Sequence, residues 1–410
     1  MSKLEELIAE LCTDGVEYAK FEDYCQYIRG IVYNKTQEVN SDEFSAWQVL
    51  RANNITLSSN TLNYDDMKFI SREVKVREDQ KLKKGDILIC AGSGSKNHIG
   101  KVAYVSQDLE YTFGGFMAVI RCKKELENRF LFHILTSGAF SHHLETALNS
   151  STINNLNSSV MSSFCIPLPP LPVQREIVRI LDNFTELAAE LAAELAARKK
   201  QYEYYRDYLL NFNGQRGSDF QWMLLGEIGR VSMCKRIMKA ETSADGDVPF
   251  FKIGTFGKEP DAFISQEKYD EYRKAFSFPK KGDVLISAAG TIGRTVIYDG
   301  EPAYYQDSNI VWIDNDERKV LNKYLYYCYS MKPWSISTGG TIARLYNDNI
   351  SKARIPVPPL EEQARIVSIL DRFDALCNDL SSGLPAEIEA RRKQYEYYRD
   401  RLLTLREKSP

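Results

Sequence analysis

One stretch is written twice in this chain. Lys200-Gln201-Tyr202-Glu203-Tyr204-Tyr205-Arg206-Asp207 returns without a change as Lys393-Gln394-Tyr395-Glu396-Tyr397-Tyr398-Arg399-Asp400. Each copy closes a longer unit. The first unit opens at Ile166-Pro167-Leu168-Pro169-Pro170-Leu171, the second at Ile355-Pro356-Val357-Pro358-Pro359-Leu360. Gln174 or Gln363, Ile177-Val178 or Ile366-Val367, Ile180-Leu181-Asp182 or Ile369-Leu370-Asp371, and Phe184 or Phe373 then follow in step. Internal repetition on this scale dictates the architecture before any single residue does.

The rods between these landmarks read as helix. The prolines of 166–171 fix φ and restrict their predecessors, so that segment is expected to be extended. A helix is expected from about Val173 to Asn211, with an apolar stripe at Ile177, Leu181, Phe184, Leu187, Leu191, Leu195, Tyr202, Tyr205 and Leu209. The steps are mostly three and four, the period of a helical seam. Its middle holds the tetrads Glu186–Ala189, Glu190–Ala193 and Glu194–Ala197, made of strong helix formers. At about 1.5 Å per residue such a rod spans roughly 50–60 Å. Asn213-Gly214 is expected to end it. A second rod runs from Glu361 to about Arg406, with Pro385 after Ser382-Gly383 predicting a kink or break. The two seams match and are expected to pack against each other as an antiparallel pair, with one domain at each end.

The remainder divides accordingly. Residues 3–11 form a short helix with Leu4, Leu7, Ile8 and Leu11 on one face, ended by Asp14-Gly15 and placed beside the rod ends. From 16 to about 165 short apolar runs alternate with Gly, Asn, Ser and Asp, as in a mostly-β domain. Trp47–Ile55, Gly85–Cys90, Gly100–Val105 and Phe116–Arg121 are its strand candidates; Arg129–Leu135 and Phe140–Leu148 are its helix candidates. A second copy follows the first rod. Lys84-Gly85-Asp86-Ile87-Leu88-Ile89 reappears as Lys281-Gly282-Asp283-Val284-Leu285-Ile286, and Ile99-Gly100-Lys101-Val102 as Ile292-Gly293-Arg294-Thr295. Leu50-Arg51 corresponds loosely to Phe251-Lys252. The fold class is therefore α+β: two mostly-β domains separated by two long antiparallel helices in a coiled coil. The expected bounds are 1–15 for the first helix, 16–165 and 214–354 for the domains, and 166–213 and 355–410 for the helical spacers.

Composition narrows the function classes. The 410 residues are 43% hydrophobic and 27% charged, which suits a large soluble chain of several domains. No apolar run is long enough for a membrane span, and the acidic, amphipathic start is unlike a signal peptide. The cysteines at 12, 25, 90, 122, 165, 234, 328 and 377 form no C-x-x-C pair, so a reducing cytoplasm without a zinc site is expected. A net charge of −3 excludes a uniformly basic nucleic-acid binder but not local basic patches.

Catalytic motifs are not found. Gly92-Ser93-Gly94-Ser95-Lys96 fails the phosphate-loop spacing: Gly94 and Gly100 stand one residue too far apart, and Val102 follows Lys101. Asn97 stands where a dinucleotide loop needs its last glycine. Two readings of the loop stay open, a plain connection and a loop along a DNA backbone carrying Lys96, His98 and Lys101. The matching second-domain loop holds Thr291 and Arg294. Histidines occur only at 98, 133, 142 and 143, so no His-based mechanism is shared by both domains, and their spacing does not suit a metal. Asp65-Asp66 reads as solvated surface. Tyr202, Tyr205 and Leu209 share a helical face, which favours packing between rods over a base-stacking platform.

These residues resemble the specificity (S) subunits of Type I restriction-modification enzymes. The Pro-Leu-Pro-Pro-Leu…Gln…Ile-Val…Ile-Leu-Asp-x-Phe run occurs twice, with Val357 replacing Leu in the second copy. Gly383-Leu384-Pro385-Ala386-Glu387-Ile388-Glu389, leading into the second octapeptide, is similar to the C-terminal conserved region of one family group. The tetrads after Thr185 resemble that group's central repeat, whose copy number is associated with target spacing. The resemblance implies a non-catalytic, cytoplasmic subunit whose domains each read half of a split, asymmetric DNA site. The rods would set the distance between the halves and dock two methyltransferase (M) subunits. S-adenosylmethionine would belong to the M subunit, and ATP and Mg to the restriction (R) subunit, leaving this chain without a cofactor or metal.

Base edges are read mainly by Arg, Lys, Asn, Gln and Ser/Thr, while Lys and Arg on phosphates supply affinity. The candidate DNA-binding residues are Arg51, Asn53, Lys96, Asn97, His98, Lys101, Asn154 and Asn155 in the first domain. In the second they are Lys252, Thr255, Thr291, Arg294, Thr341, Arg344 and Asn347. A self-sufficient methyltransferase would need an Asn/Asp-Pro-Pro-Tyr/Phe motif, and Pro169-Pro170 and Pro358-Pro359 lack both flanks. The alternative from another class is a coiled-coil scaffold with two protein-binding domains, which a gel shift with the M partner separates from a DNA reader.

Overall fold

The structure, a computed structural model, describes residues 2–40, 46–93, 98–149, 155–212, 219–336 and 343–408. It divides into two compact units. Unit 1 comprises Met1–Leu191 with Ile388–Pro410, and unit 2 comprises Ala192–Glu387. Each unit thus takes the beginning of one rod and the end of the other.

Unit 1 opens with α1 (Lys3–Leu11), β1 (Glu17–Lys20), α2 (Phe21–Tyr24), β2 (Cys25–Arg29), β3 (Trp47–Leu50), β4 (Ile55–Thr56), β5 (Thr61–Leu62) and β6 (Lys68–Ile70). Then come β7 (Ile87–Cys90), β8 (Val102–Tyr104), β9 (Tyr111–Phe113), β10 (Met117–Cys122), α3 (Asn128–Leu135), α4 (Gly138–Asn149), α5 (Ser158–Ser162), β11 (Cys165–Leu168) and α6 (Leu171–Leu210). Unit 2 holds β12 (Gln221–Leu224), α7 (Leu225–Ile228), β13 (Gly229–Ser232), β14 (Val248–Phe251), β15 (Phe263–Ile264), α8 (Gln266–Ala275), β16 (Val284–Ser287) and β17 (Thr295–Ile297). It continues with β18 (Tyr304–Tyr305), β19 (Ile310–Asn315), α9 (Asn322–Ser330), α10 (Asn347–Ser351), β20 (Arg354–Val357), α11 (Leu360–Asn378) and α12 (Leu384–Leu403).

The sheets repeat strand for strand. The order β2-β10-β7-β8 in unit 1 is matched by β13-β19-β16-β17 in unit 2, β6-β3-β9 by β15-β14-β18, and β1-β11 by β12-β20. Only the small β4-β5 pair of unit 1 has no counterpart among the described residues. The registers agree with the anchors read from the sequence. Leu50 lies beside Phe113 and Phe251 beside Tyr305, in both cases on a parallel neighbour. The Lys-Gly-Asp run is a turn into the central strand. Its glycines, Gly85 and Gly282, have φ of 91° and 94°, a region only glycine occupies without strain. Asp86 is then buried against Arg121, with both oxygens at 2.8 Å. The position of Arg121 is held by Asp314 in unit 2, which pairs with Lys280 at 2.9 Å. Asp283, deprived of a cation there, accepts from Asn322 at 3.3 Å, and burial pushes its carboxyl up.

The Pro-rich segments are strands. β11 pairs antiparallel with β1 and β20 with β12, Tyr18 facing Pro167 and Trp222 facing Pro356. These are two-stranded ribbons, where a missing N–H is tolerated. One glutamine then ties each ribbon to its rod. Gln174 is fully buried; its carbonyl accepts from Glu127 N at 2.8 Å, and its amide donates to the carbonyls of Glu125 and Pro169 at 3.0 and 2.8 Å. Gln363 does the same with Leu321 N at 2.9 Å and the carbonyls of Lys319 and Pro358 at 3.0 and 2.8 Å.

The rods form as expected, with the second one broken. α6 is a continuous 40-residue helix. Its Pro172 falls in the first turn, where a missing N–H costs nothing. α11 stops at Asn378 and α12 starts at Leu384. The stop is tight: a Cβ on Gly383 would meet the Ala375 carbonyl at 2.5 Å. Within unit 1, Phe184 of α6 stacks on Tyr398 of α12 at 5.4 Å. Within unit 2, Tyr202 and Tyr205 of α6 meet Phe373 of α11 at 6.3 and 5.6 Å. Further along, Leu209 and Leu210 share a core with Ile366 and Leu370, so the two helices run antiparallel.

The chain's two ends meet in unit 1. α1 seats Leu4, Leu7 and Ile8 in the core that holds Val173, Ile177, Leu402 and Leu403, and Lys3 pairs with the buried Glu176 at 3.1 Å. Val16 N donates to the Arg406 carbonyl at 2.8 Å and Lys408 N to the Val16 carbonyl at 2.9 Å. On α3, the buried His133 sits between Asp182 of α6 (2.9 Å) and the Tyr395 hydroxyl of α12 (3.0 Å), while Arg129 also holds Asp182 at 2.8 Å. Unit 2 builds the same joint from Tyr327 and Lys323 on Asp371.

Two predictions follow from these joints. Gln174→Leu leaves one N–H and two carbonyls buried without partners, so it should cost unit 1 about 2–4 kcal/mol in denaturant unfolding. Gln363→Leu should do the same to unit 2. A loss under about 0.5 kcal/mol, the level of an ordinary surface change, would show that the clamp is dispensable. The second concerns acid. Burial lowers the pKa of His133, with the charges of Arg129 and Arg399 acting the same way and Asp182 opposing. Its folded value therefore lies below the unfolded one of about 6.5. As pH falls through about 6.5 the unfolded chain takes up the proton first, so unit 1 should keep full stability above that pH and lose it progressively below. His133→Gln should flatten the slope there, and an unchanged pH profile of unfolding would remove His133 as its source.

Candidate nucleic-acid interface

In unit 1 three loops converge on the turn between β9 and β10. The Phe116 carbonyl accepts from Ala91 N and Gly92 N at 2.8 and 2.9 Å, fixing the start of the Gly-rich loop. Gly92 bridges Asn155, and Leu156 N donates to the Ala91 carbonyl at 2.6 Å. Arg29, from the end of β2, ties all three together. Its guanidinium donates to Asn155 Oδ1 at 3.3 Å, to the Leu156 carbonyl at 3.2 Å and to the Gly115 carbonyl at 2.7 Å. Arg51 lies at the same corner: a Cβ on Gly114 would stand 3.9 Å from its Cγ.

The candidate residues fall around this corner as follows. Arg51 donates to Asp66 Oδ2 at 2.9 Å, and Asn53 reaches the same oxygen at 3.2 Å. Asp66 is solvated surface as expected, with its side chain 74% exposed, and it holds both of these side chains. Exposed Lys101 and half-buried His98 stand at the far end of the Gly-rich loop, joined by a Lys101 N to His98 carbonyl bond of 3.2 Å. Lys96, Asn97 and Asn154 lie outside the described residues.

Unit 2 builds the same corner with other side chains. Ala288 N donates to the Asn309 carbonyl at 2.7 Å, and Leu345 N to the Ala288 carbonyl at 2.9 Å, repeating the bonds of Ala91, Phe116 and Leu156. Arg344 takes the place of Asn155 and donates to the Ser308 carbonyl at 2.8 Å, the counterpart of the Gly115 carbonyl. Ser308 has a φ of 54°. Arg294, half-buried, donates to the Phe256 carbonyl at 2.8 Å, and its N–H reaches the Thr291 carbonyl at 3.3 Å. Lys252 pairs with Asp261 at 2.8 Å, and Thr255 accepts from its N–H at 3.1 Å. Asn347 is exposed at the first turn of α10. Thr341 lies outside the described residues.

Sequence reasoning missed the residues that organise the corner. Arg29 and Phe116 were absorbed into the surrounding apolar pattern, although Gly114-Gly115 just before Phe116 marks a turn. In unit 2, Arg236 pairs with Asp307 at 2.8 Å beside Ser308, again from a stretch without a motif. Among the described residues no group of His, Cys, Asp and Glu could hold a metal ion, and no helix is long and apolar enough to cross a membrane.

The duplicated octapeptide is split in its use. Tyr395 is drawn onto His133 and Tyr202 onto Phe373. Tyr204 and its counterpart Tyr397 instead stand 65% and 59% exposed, with Tyr208 stacked on Tyr204 at 6.3 Å. Nothing in the core accounts for keeping an exposed tyrosine at both places.

The model of the Type I restriction modification DNA specificity domain matches residues 14–198 and again 217–390. A putative type I restriction enzyme specificity subunit from Haemophilus influenzae is 51% identical over 317 residues, 74% of this chain and 80% of the relative. The EcoR124I/EcoR124II specificity subunit from Escherichia coli is 35% identical over 252 residues, 58% of this chain and 61% of the relative. Among solved structures, a chain from work on assembly and conformational transition of the type I R-M system superposes with a TM-score of 0.62. It does so at 19% identity, over 95% of this chain and 97% of that one. The Mycoplasma genitalium S subunit gives 0.53 at 14% identity, over 95% and 96%. At these identities the superpositions speak for the fold.

Proposed function

We propose, from the premise that this chain belongs to the Type I restriction-modification DNA specificity family, that units 1 and 2 each read one half of a split, asymmetric DNA site. The observation that carries this is the pair of corners. The same strands and the same backbone bonds present Asn155 and Phe116 in unit 1 but Arg344 and Asn309 in unit 2. A shared scaffold with exchanged side chains is what two readers of different sequences require.

The catalytic work is assigned to partners. Two methyltransferase subunits dock on the rods, bringing S-adenosylmethionine, and restriction subunits bring ATP and Mg. The exposed Tyr204 and Tyr397, identical in sequence context and set in two similarly built units, support one kind of partner bound twice. The rods act as the spacer between half-sites, and the assembly works in the cytoplasm.

The test is the set of methylated adenines in cells. Replacing residues 220–352 with the corresponding domain of another S subunit should change one half-site and leave the other. A simultaneous change in both halves would refute the division of labour. Arg344→Ala should weaken binding to the cognate duplex by about 1–3 kcal/mol and relax one position if it reads a base edge. A uniform loss over all sequences would place it on phosphate, and no loss would remove it from the interface. Deleting Glu190–Ala193 removes about 6 Å of helix. At about 3.4 Å per base pair that is one to two base pairs. The mutant should methylate the same halves at a shorter spacing; an unchanged spacer at full activity would show that the rod does not set it.

A further inference from the structure

We propose that Phe116 and Val32 read the C5-methyl group of a thymine in the major groove of the half-site bound by unit 1. The inference rests on the reading that this unit binds a half-site, and it names the base chemistry that the unit selects.

Phe116 is 73% exposed and Val32 86%. They flank one point: a Cβ on Gly115 would stand 3.2 Å from Val32 Cγ2. Neither sits on a loose loop. Ile31 and Gly114 form a β-bridge, and Ile31 N donates to the Phe113 carbonyl at 2.9 Å. The carbonyl of Phe116 holds two N–H groups of the Gly-rich loop, and the carbonyl of Gly115 holds Arg29. An aromatic ring is therefore held out into water by a fixed backbone.

The surroundings say what the ring meets. Arg51, Asn53, Asn155 and Gly92 lie at the same corner, so the apolar pair sits among groups suited to phosphates and base edges. On the edges of a base pair the apolar group is the thymine methyl, which faces the major groove. The corresponding position in unit 2 is Asn309, whose carbonyl makes the equivalent bond to Ala288 N at 2.7 Å. The scaffold is kept and the side chain alone changes from apolar to amide. A mere packing role would not leave Phe116 in solvent, and a common structural role would not let asparagine replace it.

The experiment compares wild type with Phe116→Ser and Val32→Ser in the native complex. Methylated adenines are mapped in cells, and the purified complexes are titrated with the cognate duplex carrying thymine or uracil at each thymine of the unit 1 half-site. Wild type is expected to bind about fourfold more weakly to uracil at one position, the worth of one buried methyl. Phe116→Ser should lose that discrimination and accept other base pairs there, with the unit 2 half-site and the spacer unchanged. If Phe116→Ser keeps the wild-type motif and the wild-type ratio of thymine to uracil binding, the proposal is overturned. Impaired assembly with an unchanged motif overturns it too, and places Phe116 against a protein. If wild type marks no bipartite site at all, the half-site reading itself falls.

Discussion

Everything in the architecture hangs on a buried glutamine used twice. Gln174 and Gln363 each join three chain segments that are remote or differently shaped: the Pro-rich strand, the loop before α3 or α9, and the first turn of a rod. The side-chain amide is suited to this because it offers two donors and an acceptor in one plane. In a dry interior each bond is strengthened and each lost partner is costly. The clamp therefore fixes the angle at which a rod leaves its domain, and with it the joint where Asp182 or Asp371 meets α3 or α9.

The two units show how one scaffold tolerates exchanged chemistry. The buried aspartate of the Lys-Gly-Asp turn is kept in both, but its cation is not. Unit 1 pairs Asp86 with Arg121; unit 2 moves the ion pair to the rim, between Lys280 and Asp314, and satisfies Asp283 with an amide. His133 on Asp182 becomes Tyr327 on Asp371 by the same rule. A hydrogen-bond donor to each carboxylate is preserved and its charge is not. Strand order and register survive because they depend on the former.

This explains what was legible in the sequence. The repeat gave the number of units, and near-identical runs such as 84–89 and 281–286 gave the register, because backbone constraints like the positive φ of Gly85 and Gly282 demand the same residues there. The seams were legible because helical periodicity is local. The ribbon of β1 with β11 was not, since its two strands lie at opposite ends of the domain sequence and one carries a proline in its middle. The corner around Phe116 was hidden for a different reason. Its side chains come from five separate segments, and the exchange of those side chains between the units, as the proposed half-site reading requires, leaves no shared motif to find. Arg51, Asn53 and Asn155 were reached through residue type alone, while Arg29, which holds the corner together, looked like any strand arginine.

The bonds of Val16 to Arg406 and Lys408 bear on how the protein is made. Unit 1 draws its last helix and its closing strand contact from residues 388–410, which leave the ribosome after all of unit 2. Residues 192–387, by contrast, are all available earlier. Synthesis runs at about 5–20 residues per second, slow beside the local folding of helices and hairpins. The second unit can therefore close first, while unit 1 must wait for residues 388–410 to supply the helix that packs beside α1 and the start of α6. A chain cut before residue 388 would lack the keystone of its own N-terminal half, so the order of synthesis makes the finishing of unit 1 depend on a segment made after unit 2.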